Sequence, residues 1–194
     1  MSSIDSKSHL LEQFVSCWDK LDGFCVDESF DPLASHFSTG EENQFGGKLW
    51  RPILQTTDPL NLDPLYGKLP ARFPPLYELL VLSYRWAEID LVFYRLLGNP
   101  LGPDLSGLLN EMSKDKFLFS FLLKNGYIPF GKGPDIDYDP VCFDLRARKK
   151  NGEFTVVKID HEEILCNERI KVVVELAPTF DQLVKTTIEL ANRS

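Results

Sequence analysis

Leu10, Phe14, Trp18 and Leu21 recur at three- to four-residue spacing between polar neighbours. This predicts a first helix from about Ser8 to Asp22 with one apolar stripe facing a core. From Gly23 to Lys68 the periodicity is lost, and pieces such as STGEENQFGGK and TTDPLNLDPLYGK bring in turn formers. An irregular connection is expected there, anchored by Phe30, Phe37, Phe45, Trp50 and Ile53. Pro74 and Pro75 suit the opening of a helix, where a missing N–H costs nothing, and Leu76, Leu79, Leu80 and Leu82 carry an apolar face on towards Trp86. That helix is expected to be central and buried.

Beyond it the period changes. Ile89, Leu91 and Phe93 alternate with Asp90, Val92 and Tyr94, which predicts a strand running to a Gly98-Asn99-Pro100 turn. Helical spacing resumes at Leu105, Leu108, Leu109 and Met112 and again from Phe117 to Leu123, stopped by Lys124-Asn125-Gly126. The segments YIPF, VCFDL, EFTVVKI and KVVVEL are short, rich in β-branched and aromatic residues, and separated by Gly, Pro, Asn and Asp. They predict an antiparallel meander, with Asn151-Gly152 as the turn of a tight hairpin. Thr179 stands three residues before Gln182, a capping-box spacing, and Phe180, Leu183, Val184, Thr187 and Ile188 share one face of a closing helix. The pattern as a whole reads as one α+β domain over residues 1–194, a mostly antiparallel sheet flanked by helices.

Composition narrows the function classes. The chain of 194 residues is 43% hydrophobic, enough for a sizeable core without metals or disulfides. Its first residues carry no basic segment followed by an apolar stretch, and runs such as Leu79 to Leu82 are too short to span a bilayer. A soluble, cytoplasmic protein without membrane insertion is expected. Cys17, Cys25, Cys142 and Cys166 form no CxxC pair and are expected to be reduced structural thiols. His9, His36 and His161 are isolated, so no zinc spacing is present. A net charge of −8 argues against a nucleic-acid partner, because a polyanion is repelled over most of the surface. Residues 1–48 hold nine acidic and three basic side chains, which gives either a solvated face or one that attracts a basic protein partner.

Two constellations invite chemistry. In Gly131-Lys132-Gly133-Pro134-Asp135-Ile136-Asp137-Tyr138-Asp139-Pro140 three carboxylates alternate beside two glycines. A calcium loop starting at Asp135 needs glycine at its sixth position and glutamate at its twelfth, where the chain has Pro140 and Arg146. Gly131-Lys132-Gly133 lacks the glycine spacing and Lys-Ser/Thr pair of a phosphate loop. The stretch is expected to be a loop between strands whose aspartates are solvated or cap local N–H groups. Lys132, Asp135, Asp137, Tyr138 and Asp139 are its candidates for partner contact, and Glu41 and Glu42 represent the acidic N-terminal quarter. Asp160-His161-Glu162-Glu163 offers an imidazole beside carboxylates, but sequence neighbours diverge on a strand or a helix, so a polar strand end or turn is expected. No nucleophile elbow, HExxH helix or dinucleotide fingerprint occurs, and neither a cofactor nor a metal is expected.

Phe73-Pro74-Pro75-Leu76-Tyr77-Glu78-Leu79-Leu80 resembles the Leu-Pro-x-x-Tyr-x-x-Phe-Leu helix of the SUKH superfamily, which includes yeast cell-wall-synthesis regulators and bacterial immunity proteins. The stretch Tyr127 to Gly133, the aspartate-rich loop, Val141 to Leu145, Asp160 to Glu163 and the helix from Ala177 to Val184 are similar to that family in order. The resemblance covers roughly residues 70–190 and departs from the family at a helical insertion from about Asn99 to Asn125. It implies a sheet flanked by helices and no catalytic activity. The function it implies is a protein-binding module, either an immunity protein that neutralises a basic toxin domain or a regulatory or scaffold protein. An enzyme using His161 and nearby carboxylates is a third reading.

Overall fold

The computed structural model describes residues 3–21, 25–26, 34–42 and 46–193. The helix end expected at Asp22 and the anchors Phe30 and Phe45 lie outside the described residues.

The first helix, α1 (Ser3–Cys17), starts earlier than its apolar stripe suggests and tightens into a 3-10 turn at Trp18–Lys20. Phe14 and Trp18 are fully buried on that stripe. The expected irregular connection holds more order than its turn formers imply. Strands β1 (Cys25–Val26), β2 (Ser38–Glu42) and β3 (Lys48–Trp50) form a small sheet in the order β1-β3-β2. Strand β4 (Ile53–Leu54) and a one-turn helix α2 (Asp63–Tyr66) follow. Trp50 is buried edge to face against Phe37, and this aromatic contact explains how so polar a stretch is held.

Helix α3 (Pro75–Ser83) opens at Pro75 and buries Leu76, Tyr77, Leu80 and Val81, as the pattern predicts. It stops at Ser83 rather than running to Trp86, because its terminal carbonyls are taken by side chains from further along. The Arg85 guanidinium and the Asn99 amide both donate to the carbonyls of Val81 and Tyr84. Tyr84–Arg85 then forms β5 against β4. Asn99, expected in a turn, is fully buried and bridges Trp86 through reciprocal backbone bonds of 3.0 and 2.9 Å.

The main sheet has six antiparallel strands in the order β11-β10-β9-β8-β7-β6, a meander. The single strand expected from Ile89 is two, β6 (Ile89–Leu91) and β7 (Tyr94–Leu96), joined by a turn in which Val92 has φ of 58°. Helices α4 (Ser106–Met112) and α5 (Lys116–Lys124) precede β8 (Tyr127–Lys132), and Gly126 at φ 83° supplies the left-handed step after α5. Then come β9 (Pro140–Asp144), β10 (Thr155–Ile159), α6 (His161–Asn167), β11 (Val172–Ala177) and α7 (Phe180–Ala191). Asn151-Gly152 does form a turn, with Gly152 at φ 80° and its N–H on the Lys149 carbonyl, but at the tip of a longer β9–β10 connection.

Both sheet faces are covered, which is why YIPF and VCF are nearly continuous in apolar residues. Ile128, Phe130 and Phe143 face the main core with Tyr77 of α3 and Phe180 of α7. Tyr127, Cys142, Val157 and Ile159 face a second core with Leu122 of α5 and Ile164 of α6. Strand β11 is an edge, and Val172, Val173 and Val174 are exposed on it. Two register shifts against β10 interrupt its ladder and blunt it as a template for further strands.

Helix α7 is capped by Thr179, whose hydroxyl accepts the Gln182 N–H at 3.0 Å. The buried Glu153 carboxylate accepts the Phe180 N–H at 3.2 Å. Burial first, then the Asp181 carboxylate beside it, hold the Glu153 carboxyl above the ordinary glutamate range. A raised folded value means that the stabilising contribution is complete below the unfolded value and is lost as pH rises through the folded one. Glu153→Gln, which copies the neutral form, is therefore expected to melt higher than wild type at pH 7 and to converge with it near pH 4. Thermal melts across that range check this, and a parallel offset at every pH would refute it.

Candidate functional site

Strand β8 ends in the Gly131-Lys132-Gly133 stretch, and both glycines are required by close approach. A Cβ on Gly131 would stand 2.6 Å from the Arg95 carbonyl oxygen of β7, and one on Gly133 would collide with the Asp137 carboxylate. Lys132 between them pairs with Glu88 at 2.8 Å, Glu88 in turn meets Arg95 at 3.4 Å, and Arg95 holds Asp90 at 2.5 Å.

The loop that follows is closed on itself by the Gly133 N–H on the Asp139 carbonyl (2.9 Å) and the Asp137 N–H on the Pro134 carbonyl (3.0 Å). Its aspartates are not equivalent. Asp135 sits at φ 54° and has no ion-pair partner among the described residues. Asp137 accepts the Asp139 N–H at 2.9 Å and pairs with Lys158 of β10 at 2.7 Å. Burial opposes its charge, but the Lys158 ammonium and the Asp139 amide outweigh that and hold the carboxyl below the usual aspartate range. Asp139 reaches α6, where one oxygen accepts both the backbone N–H of His161 (2.9 Å) and its ring Nδ1 (2.7 Å). Two of the three loop carboxylates are thus built into the fold, and one stands free.

Asp160-His161-Glu162-Glu163 is not a strand end or turn but the start of α6. The Asp160 carboxylate accepts the Glu163 N–H at 3.0 Å as N-cap, and two glutamates in the first turn favour the positive helix end. An aspartate three residues before a glutamate is a cap signal, and it is what marks this helix in the sequence.

These elements surround a cleft of about 410 Å³ between α5 and α6, floored by the end of β8. Its walls are mostly apolar, with Met112, Leu118, Phe119, Leu122, Pro129 and Leu165. Lys132, Tyr138 and His161 line it as well, Tyr138 standing edge to face with the His161 ring. Charges at the cleft are internally matched, Lys132 with Glu88 and Lys114 with Glu111 at 2.6 Å, while Asp115 caps α5 by accepting the Leu118 N–H. Of the lining residues Tyr138 is 62% and Leu165 50% exposed; outside the lining, Ile136 is exposed in the same loop and Phe117 on α5. Among the described residues, no three His, Cys, Asp or Glu side chains come together as a metal site.

No protein-family model and no curated protein matches the chain.

Of the residues singled out in the sequence, the structure brings Lys132 and Tyr138 into the cleft wall and puts Asp137 and Asp139 behind that wall as supports. Asp135 is exposed in the same loop. Glu41 and Glu42 are exposed on β2 in the separate small sheet, and Glu42 stands opposite Lys48 in the strand register. The apolar wall from α4 and α5 and the Asp139–His161 contact were not visible in the sequence, since 22 residues separate that pair. Burial pushes the Cys17 thiol up to about 11 and raises Cys142 as well, while Cys166 is exposed, and these three thiols are free. Among the described residues no helix is long and apolar enough to cross a membrane.

Proposed function

We propose that this chain is a non-catalytic protein-binding module of the SUKH kind, and that the cleft between α5 and α6 is its docking surface. The observation that carries the reading is a concave site of about 410 Å³ with mostly apolar walls, whose lining leaves Tyr138 and Leu165 exposed. Such a site gains free energy when a partner side chain fills it, and aromatic contact residues with a desolvated pocket are the usual centre of an interface. The order of elements supports the family reading: the Pro-Pro helix enters the core, a meander with an aspartate-rich loop follows, and a capped helix closes the fold. With a net charge of −8, a basic partner is favoured in encounter, as suits an immunity protein opposed to a basic toxin domain. A regulatory or scaffold role uses the same surface on a different partner.

One observation favours an enzyme instead, the Asp139–His161 contact at the cleft, because a carboxylate on Nδ1 orients an imidazole as a base. Among the described residues the cleft wall presents no serine, threonine or cysteine for that base to activate, and the binding reading is preferred.

Selection from a random peptide library on the immobilised chain tests the proposal. Wild type is expected to enrich a family of peptides with a common motif. The doubly substituted Tyr138→Ala/Leu165→Arg chain, altered only at exposed positions, is expected to lose at least tenfold in affinity for them. Retention of full affinity by that variant would move docking elsewhere, and no enrichment at all would remove the binding reading.

A further inference from the structure

The densest run of positive charge in this acidic chain is Arg146-Ala147-Arg148-Lys149-Lys150, in the β9–β10 connection. Two of its four cations serve the fold. Arg146 pairs with Asp144 at 2.9 Å and lies over the Tyr127 ring, and the Lys149 ammonium donates to the Pro178 carbonyl. Arg148 and Lys150 are exposed and have no ion-pair partner among the described residues. Arg148 lines a cavity of about 240 Å³ whose other charged walls are Arg72 and Glu78, with Phe73, Pro75 and Phe154 as apolar sides. Arg72 is held in place there. Its guanidinium lies over the Tyr66 ring, 4.9 Å from the centroid, and donates to Glu78 through Nε at 3.4 Å and Nη2 at 3.2 Å. Glu78 also accepts the Tyr66 hydroxyl at 2.5 Å, so both of its oxygens are engaged. A guanidinium has five N–H groups, and those that Glu78 does not take are left for a further acceptor. The cavity thus sets two cations against one carboxylate, and Lys150 adds another positive charge in the adjoining turn.

We infer that this cavity and the turn beside it bind an acidic segment of a protein partner, one carboxylate entering the cavity that Arg72 and Arg148 line and a second meeting Lys150. Guanidinium forks match carboxylates, and the short apolar stem of a glutamate or aspartate suits the aromatic and proline sides of the cavity. A nucleic acid needs a longer track of cations than one turn supplies, and the charge of −8 repels it elsewhere. Among the described residues no large apolar side chain is exposed in residues 66–78 or 144–154, so a membrane surface meets nothing there that inserts. The site shares no lining residue with the α5–α6 cleft, and it is independent of the docking role proposed for that cleft.

Titration of isotopically labelled chain with capped tetraglutamate, capped tetralysine, inorganic phosphate and a short oligothymidylate tests the inference by amide shift changes. Tetraglutamate is expected to shift Arg72, Arg148, Lys150 and Gly152, with an affinity that falls as salt is raised, and tetralysine is expected to leave them unmoved. The double variant Arg148→Gln/Lys150→Gln, altered only at exposed side chains, is expected to keep the wild-type melting temperature and to bind tetraglutamate roughly fivefold more weakly. Arg72→Lys keeps the charge but loses the fork, and it is expected to weaken binding as well. Tyr138→Ala/Leu165→Arg, at the other site, is expected to bind tetraglutamate as wild type does. Full affinity in the Arg148/Lys150 variant, shifts confined to other surfaces, or no binding of tetraglutamate would overturn the inference. So would inorganic phosphate acting at the same concentration as the peptide, which would mean that a single oxyanion is read rather than a segment, or an oligothymidylate that binds more tightly than tetraglutamate.

Discussion

Phe143→Ala is expected to destabilise the chain by about 3–5 kcal/mol, which for a domain of this length lowers Tm by roughly 6–20 °C. The size follows from position. Phe143 is fully buried on the inner face of β9, stacked on Phe130 with ring centroids 4.2 Å apart. Tyr77 of α3 meets it edge to face at 5.3 Å and Phe180 of α7 at 5.8 Å, so one ring touches the sheet and the two helices that cover it. Removing it deletes the apolar area, the ring pairings and the filler of a volume that three elements enclose, and rigid neighbours cannot close that gap. Urea unfolding with an unchanged m-value reads the loss directly. Phe143→Leu restores most of the volume without the ring geometry and is expected to cost less than half as much. A loss below about 1 kcal/mol for Phe143→Ala would mean that the helices repack over the sheet and that the aromatic cluster is not what joins the layers.

The same cluster shows why much of the fold was legible. Ile128, Phe130, Val141 and Phe143 sit in short apolar runs bounded by Gly, Asn and Pro, and local pattern suffices where both faces of a strand are buried. Pattern fails where a local rule is overridden. Val92 occupies a left-handed turn position that turn chemistry reserves for Gly, Asn or Asp, so the β6–β7 hairpin reads as one strand. Asn99 looks like a turn residue and is a buried cap for a helix ending 16 residues earlier. Trp50 and Phe37 organise a polar stretch through a contact that no periodicity announces. The cleft was least legible of all. Its wall draws on residues from Glu88 to Leu165, and the roles of Asp137 and Asp139 depend on Lys158 and His161, which only the β8–β9–β10 register brings near. Reading these aspartates as a loop with local caps was sound for the Asp139 N–H on Asp137 and silent about the longer reach.

Arg85→Met and Asn99→Ala are each expected to be tolerated better than the two together, and the excess in the double variant is expected to be about 1–3 kcal/mol. Arg85 is fully buried and has no carboxylate partner among the described residues. Its charge is met by dipoles: the guanidinium donates to the Val81 carbonyl at 2.8 Å, to the Tyr84 carbonyl at 3.0 Å and to the Thr57 hydroxyl. These carbonyls lie at the negative end of α3, where a cation is favourable, although burial still lowers the Arg85 value below that of a free guanidinium. Asn99 donates to the same two carbonyls, at 3.1 and 2.8 Å. Arg85→Met keeps most of the volume, removes a charge that is costly to bury and leaves Asn99 on both acceptors. Asn99→Ala leaves Arg85 on both. Only the double variant strands two buried carbonyls at once, and the penalty for an unpaired buried acceptor then appears in full. A double-mutant cycle by urea unfolding measures the coupling. An additive result would mean that water reaches the end of α3, and the burial of Arg85, on which this account of where the helix stops depends, would have to be abandoned.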